Sequence, residues 1–278
     1  RGLPKQSAIA ALTTVPAELC GLSDSMGTLV AGKQANFTII KGDDYFLPDN
    51  PVESTWVQGA RYPNDQFDSS VEKDHKESET KAEDEPIERL ARSPLEDHPS
   101  QVRPDTLLVK NATIWTSSSS GIIEQADLLI QHGHILDVGE NLSLPDSDLG
   151  SCLVIDATGK HLTPGLIDAH SHSMIMGGVN EGTMPSTAMV RIADVVNSET
   201  DNIYYQLAGG LTIANLLHGS ANPIGGQNAI IKLRWGKGPD DLIFKEAPGG
   251  IKFALGENVK QANWGDEKKT RFPQTRMG

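Results

Sequence analysis

The sequence predicts an α/β plus β fold, in which a partial (β/α) barrel is joined to a small antiparallel β-sandwich. Three observations carry this expectation. Short β-rich runs separated by glycine turns recur from Thr106 to Gly165, the pattern of a small sandwich. After His161 the chain alternates apolar strands with a helical stretch, the rhythm of a barrel. A second β-rich stretch, Gly27 to Tyr62, follows a helical start.

Bulk properties set the frame. The chain has 278 residues, with 24 Lys and Arg against 37 Asp and Glu, a net charge of −13. That balance argues against nucleic acid or an anionic membrane as partner. No apolar run has the length that spans a bilayer. Two cysteines, Cys20 and Cys152, are too few and too far apart for a disulfide framework or a zinc–thiolate site, and read as small buried hydrophobes. Arg1 opens without an initiator methionine, and Thr275-Arg-Met-Gly278 follows no domain-closing signal. The expectation is a fragment of a longer protein. Its localisation is open, a secreted or periplasmic enzyme being compatible.

Ala8 to Leu22 reads as helical, with Pro16 in the first turn of a second helix. Gly27 to Ile40 then turns to strand character. Ser54 to Gln58 is a further strand, with Gly59 as the hairpin turn and Tyr62 on the return. From 64 to 104 the composition becomes charged and poor in large apolar residues, as in Glu72-Lys-Asp-His-Lys-Glu-Ser-Glu79. Such a stretch buries too little surface to order itself and reads as an acidic linker. Strands resume at Thr106–Val109, Ala112–Trp115, Asp127–Ile130, Ile135–Val138, Leu153–Asp156 and Leu162–Gly165. Gly165 to His170 is an apolar run suited to a buried parallel strand. Ile192 to Gly209 reads as helical and Leu211 to Leu217 as the next buried strand. Ala229–Arg234 and Ile251–Leu255 are further barrel strands.

The chemistry lies in Asp168-Ala-His-Ser-His172. Residues two apart on a strand point to one face, so His170 and His172 present two imidazoles together. Paired imidazoles on a rigid strand suit a divalent metal such as zinc, and barrel active sites lie at strand C-terminal ends. His132-Gly-His134 has the same spacing, but its glycine sits in a hairpin turn that would splay the rings into solvent. His218 ends the second barrel strand, where it would either contact substrate or simply pack. The loop Asn222-Pro-Ile-Gly-Gly-Gln227 falls on the same face. Its glycines permit close approach to a ligand, or serve a tight structural turn. Gly27-Thr-Leu-Val-Ala-Gly-Lys33 imitates a phosphate loop. However, Gln34 replaces the magnesium-holding hydroxyl, and a strand follows where a helix is required.

The stretch Val154-Ile-Asp-Ala-Thr-Gly-Lys-His-Leu-Thr-Pro-Gly-Leu-Ile-Asp-Ala-His-Ser-His172 resembles the barrel entry of the amidohydrolase superfamily, closest to its imidazolonepropionase-like and prolidase-like branch. Thr106 to Gly139 is similar to the N-terminal sandwich strands of those enzymes. Ala10 to Leu19, Gly27 to Phe37 and Trp56 to Tyr62 resemble the opposite end of the family. A family tail thus precedes a family head. The expectation is two tandem units cut inside both, with a permuted order as the alternative. It assigns 1–26 to the last barrel helices of an upstream unit and 27–63 to its sandwich strands, with 64–104 as the linker. Residues 105–162 are then the N-terminal sandwich of a second unit, and 163–278 its truncated metal-dependent hydrolase barrel. Tail and head would pair across the linker into a hybrid sandwich.

The resemblance implies a hydrolase acting on C–N bonds of non-peptide amides, cyclic amides or dipeptide-like substrates through a metal-activated water. It implies one or two divalent ions per complete site, most naturally zinc, held by His170 and His172. Lys252 is the candidate for a carboxylated bridging lysine, with Lys232 as rival and Glu257 as an alternative carboxylate or a loop contact. His218, Asn222 and Gln227 are candidate substrate contacts. The remaining ligands and the catalytic aspartate fall outside the chain. A small-molecule substrate is the implied partner, with homo-oligomers formed through complete barrels left open. The competing reading is a non-catalytic paralogue serving binding or assembly.

Overall fold

A computed structural model of the chain describes residues 2–42, 44–47, 49–64, 103–144, 152–260 and 272–273. Of the acidic linker expected over 64–104, residues 65–102 lie outside the described residues. The helical start divides into α1 (Lys5–Leu12) and α2 (Thr14–Leu19). Pro16 is tolerated because it sits in the first turn of α2, where N–H groups lack an intrahelical acceptor.

Eight strands make the larger sheet: β1 (Phe37–Lys41), β2 (Val52–Val57), β3 (Ala60–Pro63), β4 (Thr106–Trp115), β5 (Ile122–Gln131), β6 (His134–Gly139), β7 (Cys152–Asp156) and β8 (Lys160–Pro164). Their order is β3-β2-β1-β8-β4-β5-β6, with β7 also beside β4. The tail strand β1 pairs antiparallel with the head strand β8, from Phe37↔Pro164 to Lys41↔Lys160. The pairing expected between these two segments is therefore present.

The sheet is not purely antiparallel, which corrects the sequence expectation. Both β7 and β8 run parallel to β4, one along Thr106–Lys110 and the other along Thr113–Ile114. The stretch between them makes a local excursion rather than a reversal. Asp156 accepts hydrogen bonds from the Thr158 N–H and hydroxyl, and Lys160 N–H returns to the Ala157 carbonyl. The chain then resumes its direction. The sheet also closes on itself: Ala35 N–H donates to the Gly133 carbonyl at 2.8 Å. A Cβ on Gly59 would lie 3.0 Å from the Gly133 Cα. Inside, Phe37 stacks on Trp56 at 5.3 Å between ring centres. Around them Leu107, Leu128, Ile130, Ile135 and Leu162 are buried in one cluster shared by tail and head.

Gly165 carries the chain from β8 into β9 (Leu166–Ser171), which lies parallel to β10 (Leu211–Leu216). The crossover contains a 3-10 turn at Ile192–Val195 and helix α3 (Asn202–Ala208), so only part of the helix expected over 192–209 forms. Two faces of this sheet are covered. Ala17, Cys20, Leu22 and Met26 of the tail pack with Ile167, Ile213, Ile230 and Phe244. Ile203 and Leu207 of α3 pack with Ala214, Leu216 and Ile231.

Beyond β10 the barrel rhythm stops. Strand β12 (Ala229–Lys232) returns antiparallel to β10, while β11 (Ile224–Gln227) and β13 (Ile251–Phe253) form a separate antiparallel pair. The connection from Leu217 to Asn228 contains no helix. Nothing carries the chain back across the sheet, so the next strand must reverse. The expectation that 229–234 and 251–255 are successive parallel barrel strands is therefore corrected.

Leu162 is fully buried on β8, opposite Ile39 of β1. Leu162→Ala should cost about 2–5 kcal/mol, measured by denaturant unfolding. Hydrogen exchange should then show β1–β3 and β4–β5 losing protection together. Loss confined to β1–β3 would mean that tail and head are independent.

Candidate metal centre

His170 is the penultimate residue of β9 and His172 lies one residue beyond the strand, both exposed at its C-terminal end. Their Nε2 atoms face each other at 3.2 Å, with ring centres 5.0 Å apart and planes 82° apart. The rings therefore converge on one point. Two imidazoles bound tetrahedrally at the usual Zn–N length hold their nitrogens about 3.3 Å apart. The donor set fits a divalent ion.

Neighbouring groups decide where the protons lie. His172 Nδ1 is 2.9 Å from the Leu217 carbonyl, which can only accept. Nδ1 therefore carries the proton and Nε2 the lone pair. Lys252 Nζ lies 3.3 Å from His170 Nε2 and, as an ammonium, can only donate. His170 Nε2 spends its one lone pair on that ammonium, while His172 Nε2 presents its own lone pair beside it; a cation seated between the rings would take the place of the ammonium hydrogen. Partial desolvation pushes the His170 pKa below its ordinary value, helped by the charges of Lys252 and His172 and opposed by Asp168. The neutral, ligating form is thereby favoured. Asp168 also accepts the His170 N–H at 3.0 Å.

Strand β10 organises the pair. Leu217 accepts from His172 and its own N–H donates to the Ser171 carbonyl at 3.0 Å. Asn215 donates from its side chain to the Ala169 carbonyl at 3.2 Å. These backbone and amide contacts were not singled out in the sequence. The one signal was an asparagine inside the apolar run Leu211-Thr-Ile-Ala-Asn-Leu-Leu217, since a buried amide needs partners. Among the described residues, no three His, Cys, Asp or Glu side chains converge on a metal-sized point.

Lys252 is brought to the pair, but without the burial expected of it. Its strand has three residues, and its neighbours Ile251 and Phe253 are 38% and 55% exposed. Lys232 is elsewhere. It pairs with Ile213, which pairs with Ile167 at the opposite end of β9 from His170. Its ammonium sits 3.8 Å from the Phe244 ring centre, and burial pushes its pKa down to about 8, with help from Arg234. Glu257 forms an ion pair with Lys260.

The other three candidates hold a loop. His218 is buried; its Nδ1 lies 2.8 Å from the Gly219 carbonyl and its Nε2 accepts the Glu181 N–H at 2.8 Å. Both ring nitrogens are spent on backbone. Asn222 is fully buried and donates to the Glu181 and Met184 carbonyls and the Thr187 hydroxyl. Gln227 donates to the Ala188 carbonyl at 3.0 Å. The glycines beside them admit the protein's own groups: a Cβ on Gly225 would meet His218 Nδ1 at 2.6 Å, and one on Gly226 the Val190 carbonyl at 2.7 Å. The structure thus places His218, Asn222 and Gln227 in a clamp on the 179–191 loop and does not bring them to the imidazole pair. His132 and His134 lie exposed at the β5–β6 turn.

With this geometry in hand, known proteins supply context. Residues 1–62 match the amidohydrolase family model. Amidohydrolase tasK of Hapsidospora irregularis is 29% identical over 202 residues, covering 62% of this chain and 20% of that protein. D-hydantoinase of Geobacillus stearothermophilus is 47% identical over 74 residues, 26% of this chain and 14% of the enzyme. A dihydroorotase of Streptococcus thermophilus is 33% identical over 87 residues, 31% of this chain and 19% of the enzyme. Among solved structures, an amidohydrolase from Thermotoga maritima MSB8 aligns with a TM-score of 0.53 and 38% identity, covering 62% of this chain and 44% of that one. The chain spans no more than a fifth of these curated relatives.

Two predictions follow from the charges. In metal-free protein, the His170 imidazole should titrate below the ordinary histidine value by NMR, and Lys252→Ala should raise its midpoint; no upward movement contradicts the contact. Lys232 has a folded pKa below its unfolded one, so the unfolded chain binds more protons between pH 8 and 10.5 and stability rises with pH across that window. Lys232→Met should flatten this rise in thermal melts and stabilise the protein at neutral pH by on the order of 1–2 kcal/mol, the released desolvation cost exceeding the lost cation–π attraction.

Proposed function

Because the chain belongs to the amidohydrolase superfamily, we propose that its parent protein is a metal-dependent hydrolase opening a C–N bond of a non-peptide amide. Cyclic amides are the favoured substrate class, since hydantoinase and dihydroorotase are among the relatives. One observation carries the reading: the Nε2 atoms of His170 and His172 face each other at 3.2 Å at a strand end. Leu217 holds the His172 proton on Nδ1, leaving its Nε2 free to ligate, and a divalent ion would displace the Lys252 ammonium from His170 Nε2.

In this reading His170 and His172 hold a divalent ion, zinc by donor type. When bound, that ion supplies Lewis-acid activation of water and of the substrate carbonyl near neutral pH. The chain's own contribution is to orient and neutralise. Leu217 fixes the His172 tautomer and ring plane, and Asp168 accepts the His170 backbone N–H. Partial desolvation, with the charge of Lys252, favours the neutral form of His170; as a carboxylated residue Lys252 would serve instead as a further oxygen ligand. The catalytic aspartate and other ligands belong to later strands outside this chain. The same reading assigns 1–26 and 27–63 to the closing end of one unit and 105–162 and 163–278 to the opening of the next. The residues 64–104 between them are the linker.

The test uses the intact parent protein. It should contain stoichiometric zinc by elemental analysis and hydrolyse hydantoin or dihydroorotate. His170→Ala and His172→Ala should each release metal and lower kcat/KM by about three orders of magnitude, matching the several kcal/mol that a Lewis-acid ion contributes. Metal content and turnover unchanged in both variants would reject the metal assignment. A folded parent with neither metal nor turnover would favour the non-catalytic paralogue.

A further inference from the structure

A line of side-chain amides runs from the histidine strand to the lysine strand. Asn215 lies in β10, and its side-chain NH2 donates to the carbonyl of Ala169, the residue before His170, at 3.2 Å. The Asn215 Oδ1 accepts from Asn228 Nδ2 at 2.8 Å. Asn228 Oδ1 in turn accepts the Gly250 N–H at 2.5 Å, while the Asn228 N–H donates to the Gly250 carbonyl at 3.0 Å. Gly250 stands two residues before Lys252. That backbone return bond aside, every donor in this line points the same way, from Gly250 to Ala169. Flipping either amide would set donor against donor or acceptor against acceptor, so each fixes the orientation of the other.

The position of Gly250 belongs to the same device. A Cβ there would lie 3.2 Å from Asn228 Oδ1, tight enough that the carboxamide must give by a few tenths of an ångström. Strand β13 has little else to place it. It is three residues long, paired only with β11 among the described strands, and exposed on both flanks of Lys252. The Lys252–His170 contact of 3.3 Å spans two sheets that share no ladder, and the amide line crosses between them.

We propose that Asn215 and Asn228 are positioning residues that hold Lys252 against the imidazole pair. The proposal rests on the metal-centre reading, and its test separates the two. Partners that orient ligands typically contribute 10–100-fold to metal affinity. In the intact protein, where the metal-loaded site would hold Lys252 as a carboxylated oxygen ligand, Asn228→Ala should weaken zinc binding by about tenfold in a chelator competition. Combined with Lys252→Ala it should add nothing, because both changes remove the same contact. Equal losses with and without Lys252 would show a merely structural role and overturn the proposal. So would unchanged affinity.

A second readout needs no metal. The 15N shift of His170 Nε2 in the metal-free protein should change alike in Asn228→Ala and Lys252→Ala, since both end acceptance from the ammonium. An unmoved shift in Asn228→Ala overturns the proposal. If His170→Ala leaves zinc binding intact, the metal reading fails and this shift alone decides the relay. Should Asn228→Ala not fold, Gly250→Ala tests the same link with both amides present and should reproduce its effects.

Discussion

The antiparallel ladder between Phe37–Lys41 and Lys160–Pro164 is the constraint on which the rest depends. It joins segments far apart in sequence, so its formation pays a large loop-closure cost that only a shared core repays. That core is supplied by Phe37, Ile39 and Trp56 from one side and Leu107, Leu128 and Leu162 from the other. The ladder does not stop at the sheet. Gly165 N–H donates to the Asn36 carbonyl at 2.9 Å, and the next residue begins β9. The direction of the histidine strand is thus set by the pairing of the strand before it.

Close packing then fixes β9 against β10. A Cβ on Gly165 would lie 2.3 Å from Thr212, so the strands can approach only with glycine there. Thr212 donates to the Leu166 carbonyl at 3.1 Å from the same position. With the strands so placed, the end of β10 falls beside His172, and Leu217 can select its tautomer. Orientation of the rings is consequently a backbone property, inherited from the sandwich.

How far this was legible in the sequence differs from residue to residue. Two-residue spacing put His170 and His172 on one face, because strand geometry is local. The same reasoning separated them from His132 and His134, where a turn glycine breaks the strand. Locality failed at His218 and Asn222. Both sit after an apolar strand near glycines, which suits a binding loop and a structural clamp equally well. Only the positions of Glu181, Met184 and Thr187, more than thirty residues away, show that His218 Nε2 and the Asn222 side-chain NH2 are spent on the fold. Lys252 and Lys232 show the same ambiguity, since each lies between apolar neighbours in sequence. One approaches His170 at an open strand, while the other is buried under Phe244.

The sequence by itself determined the local elements, the paired imidazoles and the family likeness of both ends, because these follow from short-range periodicity and motif. The tertiary structure alone decided that tail and head share one sheet, that the strands after β10 reverse, and which lysine meets the histidines. The physical reason is that strand partners, register and the reach of a side chain across sheets are long-range quantities. They depend on where two distant segments meet, and no window of residues contains both.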